Sequence, residues 1–144
     1  MFLKVGHRGA RGYETENTIA SFEKAISLGA NAIEFDVRMS KDGKLIVIHD
    51  DNLKRVFGKD IKVSEASLKE LKQSSDDKIP TLEEGLKFID RKVEKILVEI
   101  KEDGLEMKIL AVLKKTRLTG RVIIVSFLED ALSNIRKADE KIET

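Results

Sequence analysis

The sequence predicts an α/β fold on a parallel sheet of barrel type, on three observations. Val- and Ile-rich apolar runs recur at residues 2–6, 32–37, 45–49, 95–100 and 121–127. Segments of helical periodicity separate most of them, the alternation that a parallel sheet requires. The first four runs carry charged residues at or near their C-terminal ends, where a (β/α)8 barrel builds its site.

The elements follow in order. Phe2 to Gly6 forms the first strand and delivers His7 and Arg8. A helix is expected from about Thr18 to Leu28, burying Ile19, Phe22, Ala25 and Ile26 and stopping at Gly29. Ala32 to Val37 forms the second strand. Ser40-Lys-Asp-Gly-Lys44 joins it to Leu45–His49 and is too short to hold a helix, so this link is a hairpin or a crossover that has lost its helix. Ser67-Leu-Lys-Glu70 and Thr81-Leu-Glu-Glu84 read as capping boxes, each opening a helix, the second just after Pro80. Lys95–Ile100 is the fourth strand. Leu105, Ile109, Val112 and Leu113 mark a helix ahead of Gly120, and Leu132 and Ile135 mark another after the fifth strand. No internal repeat, low-complexity stretch or linker divides the chain, so residues 1–144 are read as one domain.

Composition narrows the function. Lys and Arg number 27 against 26 Asp and Glu, and no basic stretch is interleaved with aromatics, which argues against a nucleic-acid partner. With no cysteine there are no disulfides, thiolate metal sites or cysteine nucleophile. Charged residues interrupt the N-terminus before a signal-peptide core could form, and no apolar stretch approaches the roughly 20 residues that cross a bilayer. The expectation is a cytoplasmic protein with no transmembrane segment.

Both histidines of the chain sit at strand ends beside charged neighbours, as His7-Arg8 and His49-Asp50. A strand-end histidine is ordinarily a surface or hydrogen-bonded group; two of them converging with carboxylates invite a catalytic reading. Glu34 and Asp36 stand two apart on one strand face, while Ile33, Phe35 and Val37 make the other face apolar. With helices covering the sheet, these carboxylates are buried or in a cleft and need a counter-charge. Either Arg8 and Lys101 supply it as a salt-bridge network, or Glu34, Asp36 and Glu99 hold a divalent cation. Mg²⁺ or Ca²⁺ suits three carboxylates, with Mn²⁺ a further candidate. Two imidazoles, a cation, Arg8 and Lys101 suit displacement at a phosphodiester, one histidine taking a proton and the other giving one. An enolase- or aldolase-like barrel with Lys101 as base or Schiff-base nucleophile uses similar parts but leaves the two histidines unexplained.

The stretch His7-Arg-Gly-Ala-Arg-Gly-Tyr-Glu-Thr-Glu-Asn-Thr18 resembles the opening signature of the glycerophosphodiester phosphodiesterase family. Further matches follow in order: Glu34-Phe-Asp36, His49-Asp50, Ile79-Pro-Thr-Leu-Glu-Glu84, Val98-Glu-Ile-Lys101 and Val125-Ser-Phe127. The resemblance implies a TIM-type (β/α)8 barrel that hydrolyses a small-molecule glycerophosphodiester to glycerol 3-phosphate and an alcohol with a divalent metal. It makes His7 and His49 the acid/base pair, Glu34, Asp36 and Glu99 the metal ligands, and Arg8 and Lys101 the phosphate contacts. Glu16 and Asn17 match an element taken to shape the first loop; Asp50 and Ser126 are lesser candidates that orient neighbours. Thr15 stands where the family commonly has proline.

A complete barrel of this type takes eight strands and about 200–250 residues, so the 144 residues correspond to an incomplete barrel of about five βα units. An open sheet exposes edges and part of a core, which leads to the expectation of a homo-oligomer. Two other functions remain in view: a catalytically weak or inactive truncated barrel acting as an assembly fragment, and a phosphodiesterase that forms a cyclic phosphate from the substrate's own hydroxyl.

Overall fold

The computed structural model describes residues 2–144. Five strands, β1 (Val5–His7), β2 (Ala32–Met39), β3 (Leu45–Val47), β4 (Lys95–Ile100) and β5 (Val122–Val125), form one sheet. Among the described residues six helices accompany them: α1 (Ile19–Ser27), α2 (Lys54–Phe57), α3 (Leu68–Ser74), α4 (Leu82–Ile89), α5 (Glu106–Thr116) and α6 (Glu129–Ala138). Short 3-10 turns at Val63–Glu65 and Thr119–Arg121 complete the order.

Four strands run parallel in the order β1-β2-β4-β5 with helices between successive ones, which is the open arc of a (β/α)8 barrel. The fifth strand is different: β3 pairs antiparallel with the end of β2, Val37 opposite Val47 and Met39 opposite Leu45. The loop at residues 40–44 thus makes a hairpin, resolving the open alternative. Ser40 N donates to Lys44 O, and Gly43 at φ +74° takes the left-handed turn position. The arc therefore contains four parallel βα units and a hairpin strand, rather than five units in series.

Alternation decides what each strand face meets. Ile33, Phe35 and Val37 of β2 face the helices, as do Ile96, Val98 and Ile100 of β4 and Val122 and Ile124 of β5. They pack against Phe22 and Ala25 of α1, Leu86 and Ile89 of α4, Ile109 and Leu113 of α5 and Ile135 of α6. The Phe22 and Phe35 ring centroids lie 5.7 Å apart. On the other, concave face, Leu97, Ile123 and Val125 are only half-buried and Val5 is exposed. A smaller second core gathers Ile46, Ile48, Leu53, Val63, Ala66, Leu71 and Ile79 around the segment between β3 and α4.

The helix starts follow their caps. Ser67–Glu70 and Thr81–Glu84 form the two expected capping boxes, and Thr18–Ser21 forms a third ahead of α1. In α1, Phe22 and Ala25 are buried while Ile19 and Ile26 are partly covered. Bare edges are expected of both outer strands, and β5 departs from this. Among the described residues β1 pairs only with β2, whereas β5 is met on its outer side by Glu143, whose carbonyl accepts from Ile124 N at 2.9 Å.

Gly9 sets the turn from β1 toward the site. It has φ +77°, and a Cβ there would lie 2.3 Å from Ser21 Oγ and 2.6 Å from the Ser21 carbonyl carbon. Gly9→Ala should therefore destabilise the fold by about 2 kcal/mol or more, read from urea denaturation. Gly12→Ala, with open space around the new methyl, should be near neutral; equal midpoints for the two variants would contradict this packing.

Candidate active site

The site forms where β1, β2 and β4 end together. The pairing of His7 with Glu34 and of Asp36 with Glu99 aligns the ends of these strands. The period of two sends Glu34 and Asp36 to the concave face of β2 and Glu99 to the same face of β4. One carboxylate oxygen from each of the three lies within 4.8 Å of the others.

Burial makes this cluster costly without a partner. Asp36 is fully buried and Glu34 nearly so. Burial, with the Asp36 charge adding to it, pushes the Glu34 carboxyl up to about 7. Burial likewise raises Asp36, against the opposing hydrogen bond from Asn17. For Glu99 burial acts upward too, but the Lys101 hydrogen bond at 2.9 Å and its charge outweigh it and leave Glu99 below its ordinary value.

The cations present do not satisfy the cluster. Lys101 Nζ reaches Glu99, while the Arg8 backbone N–H donates to Glu34 Oε2 at 3.0 Å. Arg8 Nε stands 3.4 Å from Asp36 Oδ2 without hydrogen-bond geometry, and its other arm turns to Glu16 at 3.2 Å. Among the described residues, Glu34 Oε1 and Asp36 Oδ1 are buried with no hydrogen-bond partner. Two orphaned carboxylate oxygens beside a third carboxylate are a donor set fitted to a hard divalent cation. The salt-bridge alternative leaves both oxygens unexplained.

The first loop is held in a constrained shape at this point. Arg8 and Asn17, both non-glycine, adopt left-handed backbone angles of φ 55° and 56°. Asn17 N donates to Arg8 O, and Ser21 Oγ donates to the same carbonyl. Asn17 does more than shape the loop, since its buried side chain donates to Asp36 Oδ2 at 2.9 Å.

The two histidines occupy different settings. His7 is half-exposed, its Nε2 3.7 Å from Glu34 Oε2. Burial, then Arg11 and Arg8, hold its imidazole below the ordinary value, with Asp36 and Glu99 opposing. His49 follows the hairpin strand, its Nδ1 2.7 Å from Asp50 Oδ1. Asp50 is kept ionised far below the usual carboxylate range, chiefly by hydrogen bonds from Arg55. An ionised Asp50 can only accept, so Nδ1–H of His49 donates and Nε2 is the ring nitrogen that carries no proton in the neutral form.

Sequence reasoning missed three polar residues here. Arg38 Nε donates to the His49 carbonyl at 2.7 Å, and its NH1 reaches Glu102. Glu102 also accepts from Met39 N at 2.8 Å, so β2, β4 and the His49 backbone are tied together. Arg55 on α2 contacts both Asp50 and Glu16. Arg55 follows the acidic pair Asp50-Asp51 closely, a signal that could have flagged it; Arg38 and Glu102 carried none. Ser126 donates to Ile100 O and accepts from Leu128 N, which braces the turn after β5.

A groove of about 650 Å³ lies away from these carboxylates, lined by Ile19, Pro80 and Phe88 with Lys72, Lys78 and Lys87. The residues with the constrained chemistry are at the strand ends, and the candidate site lies there. Among the described residues no helix is long and apolar enough to cross a membrane.

Comparison with known proteins agrees with the fold. A glycerophosphodiester phosphodiesterase of Caldanaerobacter subterraneus is 37% identical over 150 residues, covering 94% of this chain and 62% of that protein. The crystal structure of a glycerophosphodiester phosphodiesterase from Thermotoga maritima superposes with a TM-score of 0.86 at 42% identity, covering 95% of this chain and 59% of the other. A phosphodiesterase of Oleispira antarctica, solved in complex with the product sn-glycerol-3-phosphate, superposes with a TM-score of 0.82 at 29% identity over 98% of this chain and 64% of that one. The chain thus spans about three fifths of the length of these relatives. Residues 7–144 match the glycerophosphoryl diester phosphodiesterase family as a whole, and the chain belongs to that family.

Proposed function

We propose that this chain carries the catalytic strand ends of a metal-dependent phosphodiesterase that hydrolyses a glycerophosphodiester to glycerol 3-phosphate and an alcohol. The observation that carries the reading is the pair of orphaned buried oxygens on Glu34 and Asp36 beside Glu99, with His7 Nε2 3.7 Å from Glu34. Family membership supports the substrate class, as does the Oleispira neighbour with its bound product.

Each residue contributes by its position. Glu34, Asp36 and Glu99 would hold a divalent cation of the Mg²⁺, Ca²⁺ or Mn²⁺ kind, which when bound neutralises charge on a phosphoryl oxygen. Arg8 and Lys101, already at the edge of the carboxylate cluster, offer donors to the remaining phosphoryl oxygens. His7 and His49 serve as acid and base, one removing a proton from the attacking water and the other protonating the leaving alkoxide. Asp50 fixes the His49 tautomer through Nδ1. Asn17 holds Asp36, and Glu16 holds the far arm of Arg8. The outer side of β1, unpaired among the described residues, and the half-covered concave face favour a second reading, in which the chain acts by assembling with further strands and is weakly active alone.

Calorimetric titration with Mg²⁺, Ca²⁺ and Mn²⁺ should give one site, lost in Asp36→Ala. Equal binding by wild type and by a Glu34→Ala, Asp36→Ala double variant would remove the metal site from the reading.

On a glycerophosphodiester, His7→Ala and His49→Ala should each lower turnover on the order of 10²-fold or more. Phosphorus NMR should show a phosphomonoester as the first product; a cyclic phosphate would mean attack by the substrate's own hydroxyl. An inactive wild-type chain that binds metal would favour the assembly reading.

The metal-free protein should also show a linkage signature. Folded Glu34 holds its proton up to about pH 7, whereas its unexposed-to-exposed transition on unfolding returns it to 4.5. Between these values the folded state binds the extra proton, so this contribution is full below 4.5 and is lost as pH rises through about 7. In chelator, wild type should therefore lose stability relative to Glu34→Gln by on the order of 3 kcal/mol across that window. A pH-independent difference would contradict the buried, raised carboxyl.

A further inference from the structure

We propose that Arg55 is a positioning residue whose single guanidinium ties the carboxylate orienting His49 to the carboxylate orienting Arg8, fixing the histidine and arginine arms of the site relative to each other. The inference rests on the reading of His49 and Arg8 as working groups of the site.

The geometry is specific to a planar fork. Arg55 Nε and NH2 donate to the two oxygens of Asp50 at 2.8 and 2.9 Å, while NH1 and NH2 donate to the two oxygens of Glu16 at 3.1 and 2.6 Å. Asp50 in turn receives His49 Nδ1 at 2.7 Å, and Glu16 receives Arg8 NH1 at 3.2 Å. The chain His49–Asp50–Arg55–Glu16–Arg8 is thus continuous and joins residues 39 apart in sequence, on the first loop and on α2.

Stability explains this arrangement poorly. The Arg55 side chain is 51% exposed, and α2 is a four-residue helix with no buried residue. Exposed ion pairs contribute little to folding. Both partners, however, are largely covered, with side-chain exposures of 24% for Asp50 and 12% for Glu16, and each spends its second interaction on a site residue. An ammonium is a point charge without the fixed fork, so lysine could not hold both carboxylates in these planes.

The test reads His49 directly, with or without turnover. The chain has two histidines, so imidazole ¹⁵N spectra resolve both, and His7, whose carboxylate neighbour Glu34 does not touch Arg55, serves as the internal reference. Wild type should show neutral His49 as a single Nδ1–H tautomer. Arg55→Met should convert it to a tautomer mixture with loss of the slowly exchanging Nδ1 proton, and Arg55→Lys should not restore it. An unchanged His49 spectrum in Arg55→Met, or full restoration by Arg55→Lys, would overturn the proposal. If Arg55→Met fails to fold, Arg55→Lys carries the test alone, since a wild-type His49 spectrum in it also overturns the fork. In active protein, Arg55→Met should lower kcat on the order of 10-fold or more while calorimetric metal affinity stays unchanged; normal kcat would overturn the positioning role. Tautomer loss in a chain whose wild type lacks phosphodiesterase activity would sink the functional reading and leave the Arg55 tie standing.

Discussion

Two carboxylates on the covered inner face of β2 are the constraint around which the rest is arranged. Removing Glu34 and Asp36 from water is costly, and the surrounding structure is a set of responses to that cost. Arg8 takes a left-handed backbone conformation that presents its N–H to Glu34. Asn17 takes another and delivers its amide to Asp36. Gly9 permits the turn between them, packed so tightly on Ser21 that no side chain fits. Local strain at Arg8 and Asn17, with the turn that Gly9 allows without strain, thus has one physical origin in the demand for donors at the end of β2.

The helix-facing half of the fold was legible because it follows from periodicity. Ile33, Phe35 and Val37 on one face and Glu34 and Asp36 on the other require nothing but the strand repeat, and β2 and β4 begin where their apolar runs begin. The capping boxes at Ser67 and Thr81 were legible because the cap is a local bond between residues three apart. The direction of β3 followed from a loop length that admitted two outcomes, and the backbone turn at Gly43 decided between them. The four-residue α2 was not legible, since it has no buried face to generate a pattern.

In the site, the residues that carry charge at strand ends were visible; those that act through other residues were not. Arg55 meets Glu16 across 39 positions and Arg38 meets Glu102 across 64, so neither pairing leaves a trace in spacing. Asn17 was visible as part of a motif but not as a donor to Asp36, because that contact depends on how the first loop folds back over β2. Long-range polar ties are what tertiary structure adds to a sequence pattern here.

The existence of two separate apolar cores has a consequence for how the molecule opens. The larger core binds the parallel strands and their helices; the smaller one, Ile46 to Ile79, flanks His49 on both sides through Ile48 and Leu53. Segments with their own small core form separate cooperative units that fluctuate open at lower free energy than the whole. His49 should therefore open with a different unit from Glu34, Asp36 and Glu99. Amide exchange around it reports the excursions of a subdomain, while the carboxylates remain assembled on the sheet that outlasts it.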